Sequence, residues 1–177
     1  MKVVEDEDIK ILLCNFENSI GAEFKKLLKA KNYRERTEAH RSLHKKGREI
    51  ADQLMALTSS PNFQVRKEAT KLLEEISDPE SIHTLIELLN DPESEIRWIA
   101  SEGLIKIGRS TIEPLLQKLM AGENLTFKLS AYNVFQHLFT KKEETDLDSL
   151  LKSLNNFMET GETASFEASN ALKYFGT

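Results

Sequence analysis

Cysteine is nearly absent. The one thiol, Cys14, sits among Ile9, Leu12, Leu13, Phe16 and Ile20, so no disulfide can form within the chain and a reducing, cytoplasmic setting is expected. Loop formers are scarce too, with 7 Gly and 4 Pro among 177 residues, too few for the many turns of an all-β fold. No run of about 18 apolar residues occurs, which excludes an ordinary transmembrane helix. The start, Met-Lys-Val-Val followed by Glu5 to Asp8, lacks the basic and then apolar order of a secretory signal, so no export is expected. A basic excess is also missing: 24 Lys+Arg stand against 29 Asp+Glu, a net charge of −5, which argues against a dedicated nucleic-acid binder. What remains, 40% hydrophobic and 30% charged residues, is enough to build the core of one soluble, mostly helical domain or a short array of repeats.

The sequence repeats itself. Val65-Arg66 with Ala69, Leu72, Leu73 and Ile76 returns 31 positions later as Ile96-Arg97 with Ala100, Gly103, Leu104 and Ile107. After another 31 it returns as Phe127-Lys128 with Ala131, Val134, Phe135 and Leu138. A further copy runs from Ala164 through Ala168 to Phe175, and a weaker one precedes them at Arg36, Ala39 and Leu43. Apolar or small residues at i, i+4, i+7, i+8 and i+11 form one face of an α-helix, here termed B. Alanine at the second site lets neighbouring helices approach closely. A second helix type, A, recurs between them at Ile82, Leu85, Ile86 and Leu89, at Ile112 to Leu119, at Leu147 to Leu154, and more loosely at Ile50 to Leu57. Ser60-Pro61-Asn62, Asp78-Pro79 and Asp91-Pro92 place a polar cap before a helix start, and Gly108 closes a helix. The order A, turn, B, turn, about four or five times over, predicts an all-α stack of helix pairs, since no single pair can bury its own apolar face.

The string Leu89-Asn90-Asp91-Pro92-Glu93-Ser94-Glu95-Ile96-Arg97-Trp98-Ile99-Ala100, running on to Leu104 and Ile107-Gly108, resembles a HEAT repeat of the short phycobilisome-lyase type. The resemblance covers residues 48–177 and implies a single α-α superhelix of the HEAT-like or armadillo type over 1–177. Residues 1–47, with helices expected at Asp8–Ser19, Ala22–Lys31 and Tyr33–Lys46, would form an N-terminal helical cap. It implies an interaction scaffold rather than a catalyst. It also implies an inter-repeat structural role for Arg66, Arg97 and Lys128, which would pair with the turn aspartate Asp91 or with a carbonyl of the adjacent repeat.

Stacking covers the flanks of each B helix and leaves one face open. On helical geometry that face carries Thr37, His40, Arg41 and His44, then Lys67, Thr70, Lys71 and Glu74. It continues with Trp98, Ser101, Glu102 and Ile105, then Leu129, Tyr132, Asn133 and Gln136, then Phe166, Ser169, Asn170 and Lys173. Its later part gathers Trp98, Ile105, Leu129, Tyr132 and Phe166, a candidate partner-binding surface flanked by Lys67 and Lys71. The alternative reading tucks some of these side chains between repeats. Residues 22–50 hold ten Lys or Arg against four Glu, so this segment is +6 while the remainder of the chain is −11. It is either a solvated helix face or a docking surface for an acidic partner around residues 25–48.

Catalytic patterns are missing. His40 and His44 lie one turn apart, but Arg41-Ser42-Leu43 between them lacks the glutamate of a zinc-protease helix, and surface histidines are expected. No His is followed by Glu, so the iron-binding pairs of deoxyhypusine hydroxylase, another HEAT-like protein, are not present. No nucleotide or phosphate loop and no Ser-His-Asp pattern is found, and no metal or cofactor is expected. The reading is a non-enzymatic protein-protein interaction scaffold with a protein partner. The alternatives are a HEAT-like alkylpurine-glycosylase type of DNA-binding protein and a bilin lyase or lyase chaperone.

Overall fold

Proline turns and asparagine caps cut the chain into short amphipathic helices. The protein is described by a computed structural model at residues 18–121 and 124–138. Among these residues eight α-helices occur and no strand: α1 (Asn18–Lys29), α2 (Tyr33–His44), α3 (Ala51–Leu57), α4 (Phe63–Ile76), α5 (Ile82–Leu88), α6 (Ser94–Ile107), α7 (Ile112–Met120) and α8 (Leu125–Leu138). Short 3-10 turns, Gly47–Ile50, Pro79–Ser81 and Arg109–Thr111, lead straight into α3, α5 and α7. The expected all-α order of alternating A and B helices is therefore present. Cys14, the helix expected from Leu147, and the copy from Ala164 that contains Phe166 lie outside the described residues. So do residues 8–17 of the first expected helix. Its predicted break between Ser19 and Ala22 does not exist: α1 runs through Gly21, because Ile20, Phe24 and Leu27 bury one continuous face that outweighs the roughly 1 kcal/mol cost of a helical glycine.

The chain divides into two compact units, Met1–Ser81 and Ile82–Thr177. In the first, α1 packs on α2, α3 on α4, and the two B helices α2 and α4 lie against each other. In the second, α5 packs on α6, α6 lies against α8, and α7 touches both α5 and α8. The core of each is the repeated apolar set. Val65, Ala69, Leu72 and Leu73 are buried, as are Ile96, Ala100 and Leu104, and Phe127, Ala131, Val134 and Phe135. Only the last position of each set, Ile76, Ile107 and Leu138, is half-buried, where the helix ends.

Equivalent turns are built alike. Asn32, Asn62 and Asn124 each stand before a B helix and accept a hydrogen bond from a first-turn N–H, of Glu35, of Gln64 and Val65, and of Phe127. This satisfies a donor that a helix start leaves open. The Ser81 and Thr111 hydroxyls, both fully buried, donate to the Asp78 and Gly108 carbonyls three residues back and close the 3-10 turns. Gly108 ends α6 at φ +90°, a conformation that a side chain would strain.

Candidate protein-binding face

The second unit presents a surface cleft between α6 and α8. Its position follows from the turn before α6. The Asp91 carboxylate accepts the Glu93 N–H at 2.9 Å, folding the chain back on itself. Arg97 then donates through Nη1 to the carbonyls of Asp91 at 2.7 Å and of Pro92 at 2.9 Å. With the guanidinium laid over the turn, the next side chain, Trp98, is held outward and is 61% exposed. On α8 the equivalent position is Leu129, 42% exposed. These two face a cleft of about 300 Å³ whose other lining residues are Ser94, Arg97, Ser101, Thr126, Ser130 and Asn133.

Two hydroxyls of this lining are bonded to the backbone of their own helices. Ser101 donates to the Arg97 carbonyl at 2.9 Å and Ser130 to the Thr126 carbonyl at 3.1 Å. Such i−4 bonds use the hydroxyl proton, so these two side chains can only accept from an incoming ligand. What the cleft offers is therefore apolar area between Trp98 and Leu129, with neither an array of charges nor a catalytic group.

Other expected site residues are placed differently. Ile105 and Tyr132 are half-buried rather than open, with the Tyr132 hydroxyl accepting from Gln136 Nε2 at 2.7 Å. Tyr132 shares the repeat register of Thr70 and Ser101, which are buried although both were expected on the open face. That register is turned toward the neighbouring helix rather than outward. Lys67 and Lys71 belong to the first unit. The Lys67 ammonium stands 5.8 Å from the Phe63 ring centroid, a cation-π contact, and Lys71 is exposed.

Arg66 and Arg97 both lie against the turn before their helix. Arg66 donates to the carbonyls of Ser60 at 3.0 Å and Pro61 at 3.2 Å, the same arrangement as Arg97 one repeat later. Both sets of bonds tie a B helix to the turn of its own repeat, and the acceptor at Asp91 is the main-chain carbonyl, not the carboxylate. Lys128, at the equivalent site, is buried. Bonds between repeats are present at other positions. Asn124 Nδ2 donates to Asn90 Oδ1 at 2.7 Å, and Lys118 meets Glu87 at 2.7 Å. In the first unit Arg36 meets the buried Glu68 at 3.0 Å. Within the basic segment, Lys26, Arg34 and Arg48 are likewise paired, with Glu23, Glu38 and Asp78. Among the described residues no group of three metal-ligating side chains comes together.

The chain matches the family described as HEAT repeats twice, over residues 22–104 and 51–127. It belongs to the HEAT-repeat family. No curated protein matches it. In this HEAT-repeat chain the all-α helical solenoid class expected from the sequence is thereby established, and the match begins at residue 22. Residues 22–47, expected as a cap, fall inside it, and α1 with α2 forms a helix pair like the others. No helix among the described residues is long and apolar enough to cross a membrane.

Proposed function

We propose that this HEAT-repeat chain is a protein-interaction scaffold and that its α6–α8 cleft receives an apolar-anchored segment of a partner. The observation that carries the reading is the outward placement of Trp98 and Leu129 on one cleft in which the Ser101 and Ser130 hydroxyls are already bonded to backbone. Exposed aromatic and aliphatic side chains on a rigid helical surface supply binding energy at little ordering cost. Arg97 is the one charged residue in the lining, and its Nη1 is committed to two carbonyls of the turn, which favours an apolar anchor over an array of charges. The repeat spacing of 30 or 31 residues from Arg36 to Arg66, Arg97 and Lys128 supports assigning these repeats to the short, phycobilisome-lyase-like kind, a scaffold that has no catalytic motif of its own. Peptide-display selection against the full chain tests the reading. Enriched peptides should share aromatic or aliphatic anchors and lose binding to a Trp98→Ala protein. Enrichment of acidic peptides indifferent to Trp98→Ala would overturn it.

A further inference from the structure

In the first unit the contact between α2 and α4 contains a histidine where the next two repeats carry a small hydroxyl. His40 occupies the register of Thr70 and Ser101. Those two are buried and self-satisfied, donating to the carbonyls of Arg66 at 2.7 Å and Arg97 at 2.9 Å. His40 is 9% exposed, and its Nδ1 lies 3.1 Å from Glu75 Oε2 on α4. A carboxylate can only accept, so this approach favours the tautomer with the proton on Nδ1 and the lone pair on Nε2. Nε2 is buried and has no hydrogen-bond partner. His44, one turn on, has its Nδ1 3.7 Å from the same Glu75 oxygen, and Arg36, one turn back, meets Glu68. One side of α2 thus reads Arg36, His40, His44 against Glu68, Lys71 and Glu75 of α4.

We propose that this seam is an acid-sensitive joint, at which protonation of His40 loosens the pair α1–α2 from α4. The added proton would sit on Nε2, as a buried N–H with nothing to receive it. Burial pushes the ring below the ordinary histidine value of 6.5, Lys71 and His44 push the same way, and Glu75 and Glu68 offset this only in part. α1, packed on the other flank of α2, brings Glu23, Lys26 and Lys29 to a cleft beside Glu38 and Ala39, and the turn after α2 brings Arg48 and Glu49. None of these is among the charges acting on His40. With the folded value depressed, the unfolded chain takes up the proton more readily. The stability that neutral His40 supplies is complete above about pH 6.5 and is lost as pH falls through that value toward the folded one.

The test uses the full chain. Histidine proton NMR follows the His40 ring, assigned by its loss in His40→Thr, which installs the side chain found at the equivalent site of α4. Amide exchange of α2, corrected for intrinsic rates, is measured at pH 7.5 and pH 5.5. The expected results are a His40 midpoint below 6.5 and a rise in α2 opening of at least about threefold on acidification, absent in His40→Thr. A midpoint at or above 6.5, or the same acid response in His40→Thr, would overturn the proposal. Should His40→Thr fail to fold, the ring can be assigned in the wild type through its contacts with α4, and its midpoint alone decides.

Discussion

Replacing Arg97 by alanine should destabilise the second unit by about 2 kcal/mol. The guanidinium makes two charge-assisted bonds, at 2.7 Å to the Asp91 carbonyl and 2.9 Å to the Pro92 carbonyl. Hydrogen bonds to charged groups contribute about 1.5–3 kcal/mol each when the partner would otherwise be left open. Pro92 is exposed, so water can replace the bond to its carbonyl at little cost. Asp91 is buried and its carbonyl cannot be rehydrated so easily, which leaves roughly one full bond as the net loss. A change of about 2 kcal/mol is about a 30-fold increase in the unfolding constant and, at a typical urea dependence, roughly a 1 M fall in midpoint. Far-UV circular dichroism during urea titration measures it. Arg97→Lys, with one compact donor in place of the planar fork, should fall between the two. If Arg97→Ala unfolds within about 0.5 kcal/mol of the wild type, the bonds to the turn are not what stabilises it, and the structural role assigned to the arginine position fails.

Two further predictions concern the repeat geometry. Glu93 makes no side-chain cap at the start of α6, whereas Asn62 caps α4. Glu93→Asn should therefore stabilise by about 0.5–1 kcal/mol, while Asn62→Ala should cost about 1 kcal/mol, both read from thermal or urea unfolding. Ala100 is fully buried where α6 meets α8, so Ala100→Leu should overpack that contact and cost about 1–3 kcal/mol in the same assays.

The helix pairs and their cores were legible because the apolar period of a helix fixes which residues turn inward. Val65, Ala69, Leu72 and Leu73, and their counterparts 31 positions on, are buried as the spacing requires. The asparagine caps were legible too, since Asn32, Asn62 and Asn124 recur at one place, but the reading attended to Pro61 beside Asn62 and to the other proline turns. Acceptors were not legible. Arg66 and Arg97 share a register, yet only the folded turn reveals that its carbonyls at i−5 and i−6 come within reach. Nor does a polar letter mean an open position. Thr70 and Ser101 are buried because an i−4 carbonyl satisfies each hydroxyl inside the helix, and His40 follows them inward because Glu75 of the neighbouring helix meets its ring. At the edge of the face, Ile105 and Tyr132 sit a fraction of a turn from Trp98 and Leu129, enough to move them from exposed to half-buried.

The central claim, that the α6–α8 cleft takes a protein partner through Trp98 and Leu129, is tested most directly by comparative capture. Immobilised full-length wild type and a Trp98→Ala, Leu129→Ala double variant, shown by circular dichroism to be equally folded, are incubated with native cell extract, and bound proteins are quantified by mass spectrometry. Both side chains are exposed, so the variant should fold normally. The account predicts at least one protein retained by the wild type and recovered at least about tenfold less by the variant, the loss expected from removing one or two anchors of about 1.4 kcal/mol or more. Equal recovery of every captured protein by a folded variant would contradict it.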